Sequence, residues 1–242
     1  MMGGTNCLQK LTLKNIPSLI SFPAGGLPMS LQTLEIIECG NLVFESFEKW
    51  NAYTSLKVLR IRDSYFSPAS LPLDCFPGLQ YLKLEKCPSL EAITFQGGGA
   101  APKLERFEVS YCKNLMSVAE QIDLPSLTSW YLEGVPKLAS FSPSFLPCSV
   151  STLNIGVAIL SFMPKRELRL LFQRLTNLSV LCITGNGRKE DCINSLLKEP
   201  LLPTSLSSST RLIRHGCSDN QKENHMTVAP STSLWLKHHD YS

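Results

Sequence analysis

The amino-acid sequence predicts an α/β solenoid, a curved stack of short repeats with a parallel β-sheet on its concave face. Apolar residues return eight times in the order leucine-x-x-leucine-x-leucine, in which isoleucine, valine or an aromatic residue replaces some leucines. The eight units begin 23 to 28 residues apart, at Leu8, Leu31, Leu56, Leu79, Leu104, Leu127, Val150 and Leu178. This period and this frame are the signature of leucine-rich repeats, which bury their apolar faces against one another.

The central leucine-x-leucine of each unit predicts a short strand, because alternate side chains of a strand point to opposite faces. The leucines face inward, and the residues between and after them face the concave side. A first concave column follows: Thr12, Glu35, Arg60, Lys83, Glu108, Tyr131, Asn154 and Cys182. A second column lies two residues further on: Lys14, Ile37, Arg62, Glu85, Ser110, Glu133, Gly156 and Thr184. With neighbouring strands about 4.8 Å apart, eight strands span about 34 Å, which suits a protein partner better than a small metabolite.

We select the candidate partner-binding residues from these two columns: Glu35, Arg60, Arg62, Lys83, Glu85, Glu108 and Tyr131. The functional interpretation is a contact surface with charges complementary to a partner. The alternative is a solvated face whose neighbouring charges compensate one another. Tyr131 is the best single anchor candidate, because aromatic residues and arginine dominate interface energetics. Its neighbour Trp130 stands at a core leucine position, so we expect it to pack inside.

The segments that return from one strand to the next are expected to be mostly irregular. Proline follows the strand in several units, as at Pro17, Pro88 and Pro136, and proline cannot continue a ladder of hydrogen bonds. Residues 164–176 are the exception, because apolar residues recur there at helical spacing: Leu168, Leu171, Phe172 and Leu175. A basic amphipathic helix could touch a membrane surface, but a convex helix that fills the longest repeat explains the pattern better.

The composition limits the compartment and the partners. The chain has 242 residues, 43% hydrophobic and 18% charged, with a net charge of +3, and no Lys/Arg cluster dense enough to predict nucleic-acid binding. Cys39, Cys87 and Cys112 share one inward slot of their repeats, which favours buried free thiols. The nine cysteines show no regular pairing, no signal peptide is evident, and no apolar run approaches the ~20 residues that cross a bilayer. We therefore expect a cytoplasmic location and no membrane insertion.

The repeat region lacks the residues that catalysis or metal binding requires. All four histidines lie after residue 203, and no phosphate-binding glycine motif occurs. We expect no enzyme activity, no catalytic residues, no cofactor and no metal. The repeat register fails after Leu202, so we predict a solenoid of about eight repeats over residues 1–202 and a non-repetitive, poorly ordered tail over residues 203–242.

Several strings resemble a known family. They are Ser30-Leu-Gln-Thr-Leu-Glu-Ile-Ile-Glu-Cys-Gly-Asn-Leu42, Gly78-Leu-Gln-Tyr-Leu-Lys-Leu-Glu-Lys-Cys-Pro-Ser-Leu90 and Pro102-Lys-Leu-Glu-Arg-Phe-Glu-Val-Ser-Tyr-Cys-Lys-Asn-Leu115. These units, and the lead-in Gly26-Leu-Pro-Met-Ser-Leu31, resemble the C-terminal leucine-rich repeats of plant coiled-coil nucleotide-binding leucine-rich-repeat (NLR) disease resistance proteins. The resemblance covers roughly residues 5 to 206, in a truncated form without the coiled coil and the ATPase module.

The resemblance implies a protein-binding role in defence. In that family the repeats recognise pathogen effectors or effector-modified host proteins and hold the nucleotide-binding domain inactive. One alternative is a leucine-rich-repeat adaptor such as a ubiquitin-ligase substrate receptor, which requires an F-box-like segment that does not precede Leu8. A second is a non-functional truncated decoy. A receptor-kinase ectodomain would carry a signal peptide and a different repeat turn.

Overall fold

The structure is a computed structural model that describes residues 7–22, 27–43, 53–67, 69–95, 103–119, 123–138, 141, 146–184, 211–214 and 224–227. Its strands in chain order are β1 (Lys10–Lys14), β2 (Thr33–Ile37), β3 (Leu42–Val43), β4 (Val58–Arg62), β5 (Phe66–Ser67), β6 (Ser70–Pro72), β7 (Tyr81–Glu85), β8 (Ala92–Thr94), β9 (Arg106–Ser110), β10 (Ser117–Val118), β11 (Ser129–Glu133), β12 (Thr152–Gly156), β13 (Val180–Thr184), β14 (Arg211–Arg214) and β15 (Asn224–Thr227). The α-helices are α1 (Val157–Phe162) and α2 (Lys165–Arg174), and Leu73–Cys75 forms a short 3-10 helix.

One eight-stranded sheet organises the molecule. Its strands follow the order β1-β2-β4-β7-β9-β11-β12-β13, one from each predicted repeat, and every neighbouring pair is parallel. Neighbours in space are therefore consecutive repeats in sequence, as in a solenoid. The predicted leucine-rich-repeat solenoid with a parallel sheet is confirmed.

The core runs along the inner side of this sheet. The inward residues of the middle strands are buried almost completely, as Leu34, Leu59 and Leu82 show with exposed fractions of 0%, 1% and 0%. Trp130 replaces a leucine at one of these positions and stacks on Phe107 of the preceding repeat, with ring centroids 4.2 Å apart. The prediction that Trp130 packs inside is confirmed.

A left-handed residue follows the strand in six consecutive repeats. Its φ angle lies between 47° and 64° at Asn15, Glu38, Asp63, Lys86, Tyr111 and Gly134. The conformation costs a non-glycine residue roughly 1–2 kcal/mol. The turn also extends the hydrogen-bond ladder between repeats. The backbone N–H of Asn15 donates to the carbonyl of Ile37 at 2.9 Å, and the backbone N–H of Glu38 donates to the carbonyl of Arg62 at 3.0 Å.

The next position forms the predicted inward ladder of small side chains. Cys39, Cys87 and Cys112 are fully buried free thiols. Each thiol donates within its own turn, as from Cys87 Sγ to the carbonyl of Glu85 at 3.5 Å, and also reaches the preceding strand, as to the carbonyl of Ile61 at 3.6 Å. The slot therefore joins consecutive repeats as well as filling space.

The return segments carry short strands and two helices. β3 pairs with β5, and β10, β8 and β6 form a three-stranded sheet, so extended pieces alternate with loops. The predicted helix at 164–176 is confirmed as α2, which buries Leu168, Leu171 and Phe172. The preceding helix α1 was not expected, because its short apolar run has no periodicity that separates a helix from a buried strand.

The prediction for residues 203–242 concerns positions that mostly lie outside the described residues. The described ones form β14 and β15, which pair antiparallel, unlike the strands of the repeats. The boundary after residue 202 stays a prediction. In the part of the chain that the structure describes, no helix has the length and apolar character needed to cross a bilayer.

Candidate protein-interaction surface

The outward-facing side chains of the eight-stranded sheet form the concave surface. The strand register places Glu35 opposite Arg60, Arg60 opposite Lys83 and Lys83 opposite Glu108, and the alignment continues through Tyr131. Arg62 and Glu85 lie opposite each other in the second column. The structure thus places all seven candidate residues on one surface in the predicted columns. Their role in binding a partner stays a prediction.

The structure contains a third concave column, which the two columns predicted from the sequence do not include. Each strand has five residues and therefore three outward positions, and the first of them carries Lys10, Thr33, Val58, Tyr81, Arg106, Ser129, Thr152 and Val180. Tyr81 and Arg106 are the chemically notable members. The residue before the first strand leucine could have identified this column, because alternation puts it on the same face as the other two.

Glu35 is the acidic centre of the β1–β4 part of the surface. Its carboxylate accepts a hydrogen bond from Thr12 Oγ1 at 3.0 Å and one from Arg60 Nη1 at 2.6 Å, and Lys10 Nζ lies 3.5 Å away. Burial by itself would raise the pKa of Glu35, but the bonds from Thr12 and Arg60 and the charge of Lys10 outweigh it and lower the pKa below 4.5. Glu35 therefore stays ionised and orients Arg60.

Tyr81 lies between two guanidinium groups. The Cζ atoms of Arg60 and Arg106, which belong to the strands on either side, are each 4.9 Å from the centre of the Tyr81 ring. Such cation–π contacts position arginine side chains without neutralising them. Burial, followed by the hydrogen bond to Glu108, raises the pKa of the Tyr81 hydroxyl. The ring thus links the charges of three strands into one cluster.

Three further cations of the surface, Arg62, Lys83 and Arg106, are compensated locally. Lys83 Nζ lies 3.5 Å from Glu85 and 3.6 Å from Glu108, and Arg106 lies 3.0 Å from Glu108. Arg62 similarly lies near the carboxylates of Glu38 and Asp63, which belong to the turns after β2 and β4. Ion pairs at such exposure contribute only about 0–1 kcal/mol each, so an incoming partner could exchange them at little cost.

An open hollow of about 380 Å³ lies at the centre of the charged cluster. Its lining brings five of the seven candidates together, and consists of Glu35, Ile37, Arg60, Ile61, Arg62, Tyr81, Lys83 and Glu85. Glu108 lies beside it through its contact with Lys83. Tyr131 is outside the hollow, two strands beyond β7.

Tyr131 forms a separate cluster with Glu133 and Tyr111. The Tyr131 hydroxyl donates to Glu133 Oε2, and the Tyr111 hydroxyl donates to the other oxygen of that carboxylate at 3.4 Å. Burial, and then the bond to Glu133, raise the pKa of Tyr131 far above its ordinary value. Tyr131 is therefore a neutral, half-buried and oriented side chain, and Tyr111 is exposed beside it.

The concave columns are not accessible along their whole length. Cys182 and Thr184, which the alternation of β13 predicts to face the concave side, have exposed fractions of only 5% and 1%. Within the described residues, β14 lies beside β13. The accessible part of the concave surface therefore ends before β13, the last strand of the eight-stranded sheet. The repeat pattern does not predict this limit.

Comparison with known proteins supports the repeat assignment. No family model and no solved structure matches the chain. The chain is 30% identical over 230 residues to a protein of Arabidopsis thaliana that is named as a disease resistance protein. The match covers 83% of this chain and 16% of that protein, so the chain spans a small part of its relative. Repeat pattern, solenoid fold and relative together identify the chain as a leucine-rich-repeat region of the kind found in plant NLR disease resistance proteins.

Proposed function

We propose that this chain is a protein-binding module of plant defence and that the concave surface contacts the partner. The main supporting observation is the open hollow, around which the adjacent strands β2, β4 and β7 present two arginines, Tyr81 and two carboxylates. Tyrosine and arginine are the residues that contribute most to protein interfaces. The relative that is named as a disease resistance protein supports the biological setting.

The chemistry of the hollow favours a protein over a small molecule. Small-molecule sites usually enclose most of their ligand, whereas this hollow is open to solvent and six of its eight lining residues carry a charge or a hydroxyl. An open, charged hollow suits one or two side chains of a larger partner. Because cations and carboxylates alternate, the fitting partner segment carries both signs of charge, which gives specificity and a fast association.

The more specific role that we propose rests on the resemblance to plant NLR disease resistance proteins. We propose that the bound protein is a pathogen effector or an effector-modified host protein, and that the same surface region restrains the nucleotide-binding domain of a receptor. We also propose that the chain acts in the cytoplasm, by binding alone, without catalysing a reaction. The absence of histidine from residues 1–202 supports this last point, because the usual general base is missing there.

Mutational mapping of a binding assay tests this proposal. Residues 1–242 are screened against pathogen effectors and against the nucleotide-binding domain of an NLR receptor. For any partner found, Arg62→Glu and Tyr131→Ala should each raise the Kd about tenfold or more, the scale of interface hot spots. The control is Lys113→Glu, which reverses an exposed charge outside the strands and should change the Kd less than about twofold.

Two results would overturn the proposal. One is binding that both concave variants leave unchanged, which would place the contact elsewhere on the molecule. The other is turnover of a substrate by the purified chain, which would contradict the binding-only role. Circular dichroism of each variant separates lost binding from lost folding.

A further inference from the structure

A basic helical surface lies in the segment that connects β12 with β13, away from the residues of the concave surface. Helix α2 has the sequence KRELRLLFQR. Its four cations are all exposed: Lys165, Arg166, Arg169 and Arg174. Glu167 is its single carboxylate, so ten residues carry a net charge equal to the +3 of the whole 242-residue chain.

The charges of α2 differ from those of the concave surface in how they are compensated. On the sheet, Arg60, Lys83 and Arg106 each lie within 3.6 Å of a carboxylate. On the helix, neither Arg166 nor Arg174 forms an ion pair with any carboxylate among the described residues. These two arginines therefore present positive charge that no described carboxylate compensates, which favours an anionic partner.

Two large apolar side chains of the same connecting segment are exposed. Phe162, at the end of α1, is 74% exposed, the highest value among the large apolar residues of the described chain, and Leu170 of α2 is 48% exposed. Arg166, Leu170 and Arg174 are four residues apart and so lie in one row on the helix. The opposite row, with Leu168 and Leu171, is buried in the solenoid and fixes the helix orientation.

We propose that this surface, formed by Phe162 and the outer row of α2, binds the surface of an anionic lipid bilayer. Cations on a helix gain free energy from the negative potential of phosphatidylserine-rich leaflets. Protruding phenylalanine and leucine insert at the boundary between headgroups and acyl chains. A fluid bilayer can close around single exposed apolar side chains. A rigid acidic protein would instead need matching pockets to cover them.

Co-sedimentation with vesicles tests the proposal on residues 1–242. The protein should sediment with phosphatidylserine–phosphatidylcholine vesicles and stay in solution with phosphatidylcholine alone. Arg166→Gln combined with Arg174→Gln should weaken binding about 25-fold, at about fivefold for each cation near the bilayer. Phe162→Ala should weaken it about tenfold, because an inserted aromatic side chain is lost. The matched control, Lys103→Gln with Lys113→Gln, removes the same charge from exposed positions outside α2 and should leave binding unchanged.

The alternatives give different patterns. An equal loss of vesicle binding in the α2 variant and in the matched control would mean that net charge alone attracts the protein. This result would overturn the proposal of a specific site. Unchanged binding of Phe162→Ala would overturn the inserted contact. Failure to sediment, together with binding of a polyglutamate peptide that the α2 variant abolishes, would show an acidic protein site and overturn the lipid proposal. All substituted positions are exposed, and circular dichroism checks that each variant folds. Partner binding at the concave surface is scored separately, so failure of one proposal leaves the other standing.

Discussion

At the scale of single residues, the charges of the concave surface are set by partners that come from other repeats. Glu35 is the clearest case, because its hydrogen-bond donors Thr12 and Arg60 lie 23 and 25 residues away in the sequence. The sequence is compatible with charges that bind a partner and with charges that compensate one another. The structure shows that compensation occurs, and that some of the compensated residues line the hollow in which binding is proposed.

We expect Glu35→Gln to lower the free energy of unfolding by about 1 kcal/mol near neutral pH, because Arg60 loses a charged hydrogen-bond acceptor. The folded pKa of Glu35 is lowered below 4.5. Its carboxylate therefore stabilises the fold above the unfolded pKa, and the contribution is lost as the pH falls through the folded pKa. The difference between wild type and variant should shrink on acidification in urea titrations. Glu105→Gln, at an exposed position, is the control; an equal effect of pH on both variants would contradict the assignment.

Gly78 is required for close contact between repeats. A Cβ atom at this position would lie 2.2 Å from the backbone carbonyl oxygen of Thr54, whereas one at Gly40 would meet nothing within 4 Å. Gly78→Ala should therefore lower the free energy of unfolding by about 1–3 kcal/mol, the usual cost of overpacking. Gly40→Ala is the matched control and should be close to neutral in the same urea titration. Equal stability of the two variants would show that the backbone at Thr54 moves freely.

At the scale of elements, equivalent strands differ in how far their neighbours cover them. Leu11 of β1 and Leu34 of β2 are partners in the parallel register and occupy the same repeat position. Leu34 is fully buried, with an exposed fraction of 0%, whereas Leu11 is only half-buried at the edge of the sheet. In a solenoid each repeat is stabilised mainly by its two neighbours. A repeat at the edge of the sheet in this structure packs against only one neighbouring repeat.

This difference predicts unequal costs for the same truncation. Leu34→Ala should lower the free energy of unfolding by about 2–5 kcal/mol, the range for fully buried leucines. Leu11→Ala should cost about 1 kcal/mol or less, because less apolar area is lost from the core. Chemical unfolding of both variants in parallel gives the comparison. A larger loss for Leu11→Ala would mean that β1 is covered in solution.

At the scale of the whole molecule, the solenoid places its two proposed surfaces on different parts of the structure. The concave surface derives from strands whose outward residues align across repeats. The basic surface derives from α1 and α2, which occupy the longest repeat. The two proposed surfaces share no residue, so variants of one can be tested without changing the other.

The predicted boundary after residue 202 has a direct test at this scale. Coupled repeats of the described kind should unfold in a sigmoidal transition, because each repeat stabilises the next. We expect residues 1–202 and residues 1–242 to show similar urea transitions by circular dichroism. A broad, non-cooperative transition of the shorter chain alone would show that residues beyond 202 stabilise the repeats. The burial of Cys182 and Thr184 makes β13 the place where such an effect would begin.

The sequence by itself determined the fold, the core positions and two of the three columns of the concave surface. The reason is that strand alternation and a nearly constant repeat length are local patterns. When repeats of similar length stack, their strands can pair in only one register. The same local reasoning predicted α2 from its periodicity, and the slot of Cys39, Cys87 and Cys112 from its place after the strand. It missed the Tyr81 column, although alternation alone contains it.

Only the tertiary structure decided which side chains pair across repeats. The contacts of Tyr81 with Arg60 and Arg106 depend on the rotamers of residues more than 20 positions apart in the sequence. The left-handed turns at Glu38, Lys86 and Tyr111 are equally hidden, because these residue types do not favour that conformation by themselves. The turns persist because the hydrogen bonds between repeats offset their cost. Which side chains pair, and how deeply they are buried, depends on distances between repeats. No local pattern in the chain encodes those distances.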